Sequence, residues 1–122
     1  MIDHVTLGVS DIARARAFYD RTLMVIGIER LYAEAEVYAG YGADKKAFFW
    51  IGRKTIAITG VHVAFAVDSR DHVDRFHAAG IAAGGRDNGA PGPRPHYHPN
   101  YYGAFILDPD GHNIEAVCHA AA

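Results

Sequence analysis

The sequence predicts an α+β protein built of two βαβββ modules, and three observations lead there. First, the chain repeats. With an offset of 58 positions His4 falls on His62, Val5 on Val63, Val9 on Val67, Phe18 on Phe76 and Leu23 on Ile81. These matches occupy inward strand positions and one helical stripe, and self-similarity of that kind fixes an architecture. Second, each half opens with an alternating β-prone run followed by apolar residues spaced three and four apart, the periods of a strand and of an amphipathic helix. Third, Gly, Pro and Asp punctuate the remainder of both halves where turns are needed. Sheets with one apolar face must bury it, against helices and against a second copy of the chain.

Taken in order, Asp3–Val9 reads as a strand, and Ser10-Asp11 supplies side-chain oxygens for the free amides of a helix start. Ile12, Ala15, Phe18, Tyr19 and Leu23 form the stripe of that helix. Three β-prone stretches follow, Ile28–Tyr32, Glu36–Tyr41 and Ala47–Ile51, the last two joined across Gly42-Ala43-Asp44-Lys45 as a hairpin. In the second half Val61–Val67 reads as a strand, Asp68-Ser69 as a cap, Val73, Phe76 and His77 as one helical face, and Gly80 as the helix end. Gly84 to Pro99 reads as a Gly- and Pro-rich loop, before strands Tyr101–Leu107 and Asn113–His119 joined by Asp108-Pro109-Asp110-Gly111. One domain is expected over 1–122, its modules at about 1–55 and 60–120.

Half of the 122 residues are hydrophobic and 21% are charged, the balance of a soluble globular domain. A net charge of −2 with no basic stripe argues against nucleic acid or an anionic membrane as partner. No apolar run approaches the roughly 20 residues of a membrane helix, and Met1-Ile2-Asp3-His4 is unlike a targeting segment. The single Cys118 cannot form an internal disulfide, so a cytoplasmic location and a buried thiol are expected. Eight histidines are the unusual feature, and histidine is the commonest metal ligand.

The layout, His4-Val5-Thr6-Leu7-Gly8-Val9 with Phe18-Tyr19, the second His62-Val63-Ala64-Phe65, and the closing Asp108-Pro109-Asp110-Gly111-His112-Asn113-Ile114-Glu115 together resemble the vicinal oxygen chelate superfamily. That superfamily includes glyoxalase I, extradiol dioxygenases, fosfomycin-resistance proteins and bleomycin-binding proteins. The resemblance spans nearly the whole chain and implies mixed sheets forming a cup, with one divalent metal held by first-strand and last-strand residues. Carried over, the metal ligands are His4, His62 and Glu115. Two imidazoles and one carboxylate suit zinc, nickel, manganese or iron and leave positions open for substrate oxygens. A lone strand histidine is ordinarily just a half-exposed polar residue. Two at equivalent repeat positions are harder to dismiss, and a carboxylate inside the core strand Asn113–Val117 would be costly unpaired.

In this comparison the fourth family ligand is missing. Counting from the hairpin turns places Phe49 opposite Glu115 in the repeat, within an apolar stretch where glyoxalase-type enzymes usually carry Glu or Gln. The dioxygenase pattern is matched by His98 and Asp108-Pro109-Asp110-Gly111, but Phe105 stands where a tyrosine is customary. The resemblance therefore implies a glyoxalase-like lyase or isomerase that grips adjacent oxygens of a small substrate and stabilises an enediolate or similar oxyanion. Two alternatives stand beside it, a non-haem iron extradiol dioxygenase and a non-catalytic drug-binding protein.

Catalytic roles are expected for Glu115, for His98 as base, and for Tyr102 as its aromatic partner, the latter two in or beside the donor-rich loop Arg94–Tyr102. Against this stands a proline-stiffened surface loop whose aromatics only pack. His72 and His77 are expected on an exposed helix face, His119 in solvent, and Arg14, Arg16 and Arg21 on a solvated one. Trp50 is expected in the core or the cup wall. Asp87–Gly92 reads as a turn or flap, and no helix follows it to make a phosphate loop. Two open sheets from so short a chain leave edges and apolar surface exposed, so a homodimer is expected.

Overall fold

A computed structural model describes residues 1–54 and 60–122 of the chain. The first module contains β1 (Val5–Val9), α1 (Ile12–Met24), β2 (Glu29–Glu34), β3 (Tyr38–Ala43) and β4 (Lys46–Arg53). The second contains β5 (His62–Ala66), α2 (Arg70–Ala82), β6 (Arg86–Pro93), β7 (Tyr102–Leu107) and β8 (Asn113–Cys118). The boundary expected at residue 55 lies outside the described residues. The two sheets have the same construction, with strand orders β1-β4-β3-β2 and β5-β8-β7-β6. In each, the first strand pairs parallel with the last and the other pairings are antiparallel. The α+β class with two mixed βαβββ sheets is therefore as the repeat implies. Among the described residues no helix is long and apolar enough to cross a membrane.

The local chemistry explains most element boundaries. Asp11 caps α1, its carboxylate accepting the Arg14 amide at 3.0 Å, and Ser69 caps α2 by accepting the His72 amide. The stripe Ile12, Ala15, Phe18, Tyr19 and Leu23 is buried, as are Val73 and Phe76 on α2. Asp44 and Lys45 both take positive φ between β3 and β4, the twist a two-residue hairpin needs.

Two expectations are corrected. Helix α2 does not end at Gly80: it runs on to Ala82, and Gly84 at φ +101° turns the chain. Gly80 instead makes room for Ile106 of β7, whose Cδ1 would stand 2.2 Å from an added Cβ. Likewise Gly84–Pro99 is not all loop, because Arg86–Pro93 forms β6. Its glycines and prolines are tolerated there because β6 is an edge strand, with irregular register against β7.

One core serves both modules. The α1 and α2 helices pack together, and aromatic contacts lead from Phe18 through Tyr19 (4.9 Å) and Phe49 (5.1 Å) to Phe65 of β5 (5.3 Å). A polar tie reinforces it. Buried Asp108 accepts the Tyr19 hydroxyl at 2.6 Å and the amides of Asp110 and His112. Burial, and then Asp108 beside it, holds the Tyr19 phenol far above its ordinary value, so it remains a donor. Buried His112 donates through Nε2 to the Gly8 carbonyl, and Asp110 accepts from Ser10. Both sheets thus keep one side against the core and leave the other open, and the open sides carry the candidate chemistry.

Candidate functional site

The parallel pairings define which residues correspond across the repeat. In the second sheet Val63 lies opposite Ile114 and Ala64 opposite Glu115; in the first, Val5 lies opposite Phe49 and Thr6 opposite Trp50. Thr6 corresponds to Ala64, so the counterpart of Glu115 is Trp50, not Phe49. The count from the turns slips because Asp108–His112 is a longer connection than Asp44-Lys45. Phe49 points into the core with no exposure, while Trp50 faces the open side. There the Trp50 ring lies over Gly40, whose missing Cβ would come within 2.5 Å of it. Tyr32 stacks on Trp50 at 5.7 Å and Tyr38 leans on it at 6.0 Å, making an aromatic wall.

The second sheet holds the polar constellation. Glu115 is 1% exposed, on the strand face away from Ile114 and Ala116 of the core, and its carboxylate is covered by two partners. Its Oε1 lies 2.9 Å from His62 Nε2, and its Oε2 accepts the Tyr101 hydroxyl. The His62 side chain is 49% exposed and rests against Phe105, ring centroids 6.0 Å apart. Phe105 lies directly opposite Glu115 on β7. Burial first, and then the neighbouring carboxylate, keep the Tyr101 hydroxyl well above the ordinary phenol range, so it donates rather than ionises. Gly103 permits this meeting, since an added Cβ would stand 3.1 Å from the Tyr101 ring and 3.2 Å from Glu115 Oε2.

The other expected site residues are distributed as follows. His4 precedes β1, is exposed, and bonds through Nδ1 to Asp3 at 2.8 Å, while Lys46 holds the same carboxylate. It shares with His62 the rim of a cavity of about 640 Å³, which Phe48 and Ala64 also line. His4 does not join His62 and Glu115 in one coordination sphere: among the described residues no three His, Cys, Asp or Glu side chains converge. The donor set therefore fits a metal in part, through a preassembled imidazole and carboxylate with a third ligand apart.

His98 lies exposed on the loop, edge-on to His119 at 5.4 Å, and His119 in turn packs edge-on to Tyr101. Tyr102 points to the other side of the sheet, its hydroxyl donating to Asp74 and its ring under Arg70 of α2. Tyr101, its neighbour, takes the place beside Glu115. Strand alternation carries the signal that finds it, because Gly103 and position 101 follow Phe105 on the Glu115 face whereas Tyr102 and Ala104 do not. His77, half-buried, is held to Asp87 of β6 at 2.9 Å, and Cys118 is a buried free thiol.

A solved glyoxalase/bleomycin resistance protein from Albidiferax ferrireducens T118 is 32% identical, with a TM-score of 0.82 over 97% of this chain and 98% of that one. A glyoxalase/bleomycin resistance protein/dioxygenase family enzyme from Burkholderia phytofirmans PsJN shares the fold at 21% identity, with a TM-score of 0.74 over 97% and 98% of the two chains. So does a lactoylglutathione lyase from Agrobacterium tumefaciens at 18%, with a TM-score of 0.70 over 97% and 92%. No curated protein matches the chain. The pattern of the Glyoxalase/Bleomycin resistance protein/Dioxygenase superfamily matches residues 1–116. With its two matched sheets and a buried carboxylate on the open side of the second, the chain belongs to that superfamily.

Proposed function

We propose that the protein is a divalent-metal-dependent lyase or isomerase of the glyoxalase-like class, acting on a small substrate with adjacent oxygens. The observation that carries this reading is Glu115, a carboxylate set in a core strand and aimed at the open face with His62 Nε2 beside it. Burying a charge with so few partners is costly, and a cation bound by His62 and Glu115 removes that cost. His4 is the third ligand. Since it stands apart within the chain, it meets the other two in a homodimer that sets the first sheet of one protomer against the second sheet of the other. A metal held there supplies Lewis-acid polarisation of two substrate oxygens.

The chain's own groups supply the remainder. The Tyr101 hydroxyl fixes Oε2 of Glu115, so the carboxylate presents Oε1 toward His62 and the open face. His98 is the base, reached across the exposed loop, and Tyr101 takes the position beside the site that Tyr102, bonded to Asp74, does not occupy. The aromatic wall of Tyr32, Tyr38 and Trp50 favours a second reading, in which the protein binds a small molecule without turning it over.

The test is metal content by mass spectrometry in His4→Ala, His62→Ala and Glu115→Ala, with sedimentation at micromolar concentration. Each variant is expected to lose most of one equivalent per chain, and the wild type to sediment at twice 13.3 kDa. Full metal retention by all three variants, or a monomer that still binds metal through His4, defeats the proposal.

A further inference from the structure

We propose that Arg94 determines specificity at this site by binding an anionic substituent, a carboxylate, that the substrate carries in addition to its adjacent oxygens. The inference rests on the reading of His62 and Glu115 as the end that receives those oxygens.

The guanidinium is held in place before any ligand arrives. Nη1 donates to the Gly92 carbonyl at 2.8 Å and Nη2 to the Ala90 carbonyl at 2.9 Å, and the group lies 5.5 Å above the Phe105 ring. Both acceptors are neutral, and among the described residues no carboxylate lies within ion-pair distance of it. Of five N–H donors two are spent on the backbone, so the charge and the remaining donors are available. The segment is shaped around it. An added Cβ at Gly92 would stand 3.2 Å from Nη1, and one at Gly89 would stand 3.3 Å from Nη2 and 2.8 Å from Phe105. The glycines that make β6 a poor strand are thus the ones that clear space for the guanidinium.

Its surroundings select for an anion. Arg94 opens on a recess of about 270 Å³ lined with Asn88, Gly89, Tyr97, Phe105 and Asn113, and no acidic side chain lines it. Asn88 Nδ2 donates to the side-chain Oδ1 of Asn113 at 3.2 Å, which leaves the Asn113 side-chain Nδ2 as a further donor. The recess adjoins the polar constellation. Asn113 lies opposite His62 in the β5–β8 pairing and Phe105 opposite Glu115, and the Phe105 and His62 rings are 6.0 Å apart. Phe105 is therefore in contact with both the guanidinium, at 5.5 Å, and the imidazole, at 6.0 Å. An arginine with a fixed plane suits a carboxylate better than a lysine does, because it offers a paired-donor geometry.

Catechol and 3,4-dihydroxybenzoate present the same adjacent oxygens and differ by one carboxylate. Titrated into the zinc-loaded full-length protein, the benzoate is expected to bind at least about tenfold more tightly, a charge-assisted pair's worth of affinity. Arg94→Gln is expected to bring the ratio of the two affinities to about one, and Arg94→Lys to leave it in between. Should Arg94→Gln fail to fold, Gly92→Ala, which crowds Nη1, is expected to reduce the ratio in the same direction. Equal binding of the two probes by the wild type, or an unchanged ratio in the variants, overturns the proposal. Inorganic phosphate added to metal-free protein separates this from the metal reading. It is expected to shift the Arg94 Nε–H and Asn113 amide resonances, whether or not catechol binds. Catechol binding without any phosphate response overturns the role of Arg94 alone.

Discussion

At the register position where the second sheet carries Glu115, the first carries Trp50, and this one substitution summarises how the halves have diverged. On their buried sides the sheets still match: Phe49 answers Ile114 and both are fully buried. Among the described residues the open sides share only the leading histidines, and even these differ. His62 meets a buried carboxylate, whereas His4 meets an exposed one two-thirds open to solvent. Packing has held one side of each sheet to the repeat, since interiors punish changes of volume. The other side was free to specialise, one half toward imidazole, carboxylate and phenol, the other toward an aromatic wall.

The sharpest way to break that comparison is to exchange the sides. Phe49→Ala should cost about 3–5 kcal/mol in denaturant unfolding, as a core aromatic deletion does, while Trp50→Ala should cost roughly 1 kcal/mol. Equal losses would mean that Trp50 belongs to the core and that the register correspondence fails. A smaller difference separates two adjacent tyrosines. Tyr101→Phe leaves Oε2 of a nearly inaccessible carboxylate unpartnered and should cost about 1.5–3 kcal/mol. Tyr102→Phe gives up an exposed bond to Asp74 and should stay within roughly 0.5 kcal/mol. If the two variants unfold alike, Glu115 is not the anchor of the open face.

The smallest effect lies in two pairs of a histidine with an exposed aspartate, one per module. The bond from His4, then Lys46, holds the Asp3 carboxyl below its ordinary 3.8, and the bond from His77, then the Gly89 amide, does the same for Asp87. A depressed carboxyl adds stability above the unfolded value that is lost as pH falls through the folded one. The loss therefore falls below pH 3.8. Carbon-detected titration of His77→Ala should return Asp87 toward the ordinary value; an unmoved Asp87 would assign the shift to the Gly89 amide instead.

Much of the fold was legible because periodicity and repetition are properties of order along the chain. Phe18 and Phe76 reported two helices, and Gly42-Ala43-Asp44-Lys45 a hairpin, although Gly42 and Ala43 belong to strand β3 and only Asp44 and Lys45 make the turn. Strand β6 was not legible, because its pairing to β7 is decided by an edge position that excuses Gly89, Pro91 and Gly92 from ordinary strand preference. At the candidate site, His62 and Glu115 were within reach of sequence reasoning and stand together in space. Tyr101 was missed for Tyr102, although alternation from Phe105 distinguishes them. Arg94 was seen only as part of a donor-rich loop, since its partners are backbone carbonyls of Ala90 and Gly92. No residue type marks a carbonyl.

The polar tie at the Asp108–His112 turn has a consequence for how the repeat behaves as a molecule. Tyr19 and Gly8 belong to the first module, yet their bonding partners Asp108 and His112 arrive only with the end of the second. Until the last strands are made, a phenol and a carbonyl in the first half remain without their native partners. The two modules are therefore tied by bonds that the first half cannot complete alone. The chain's final hairpin closes the structure that its first strand begins.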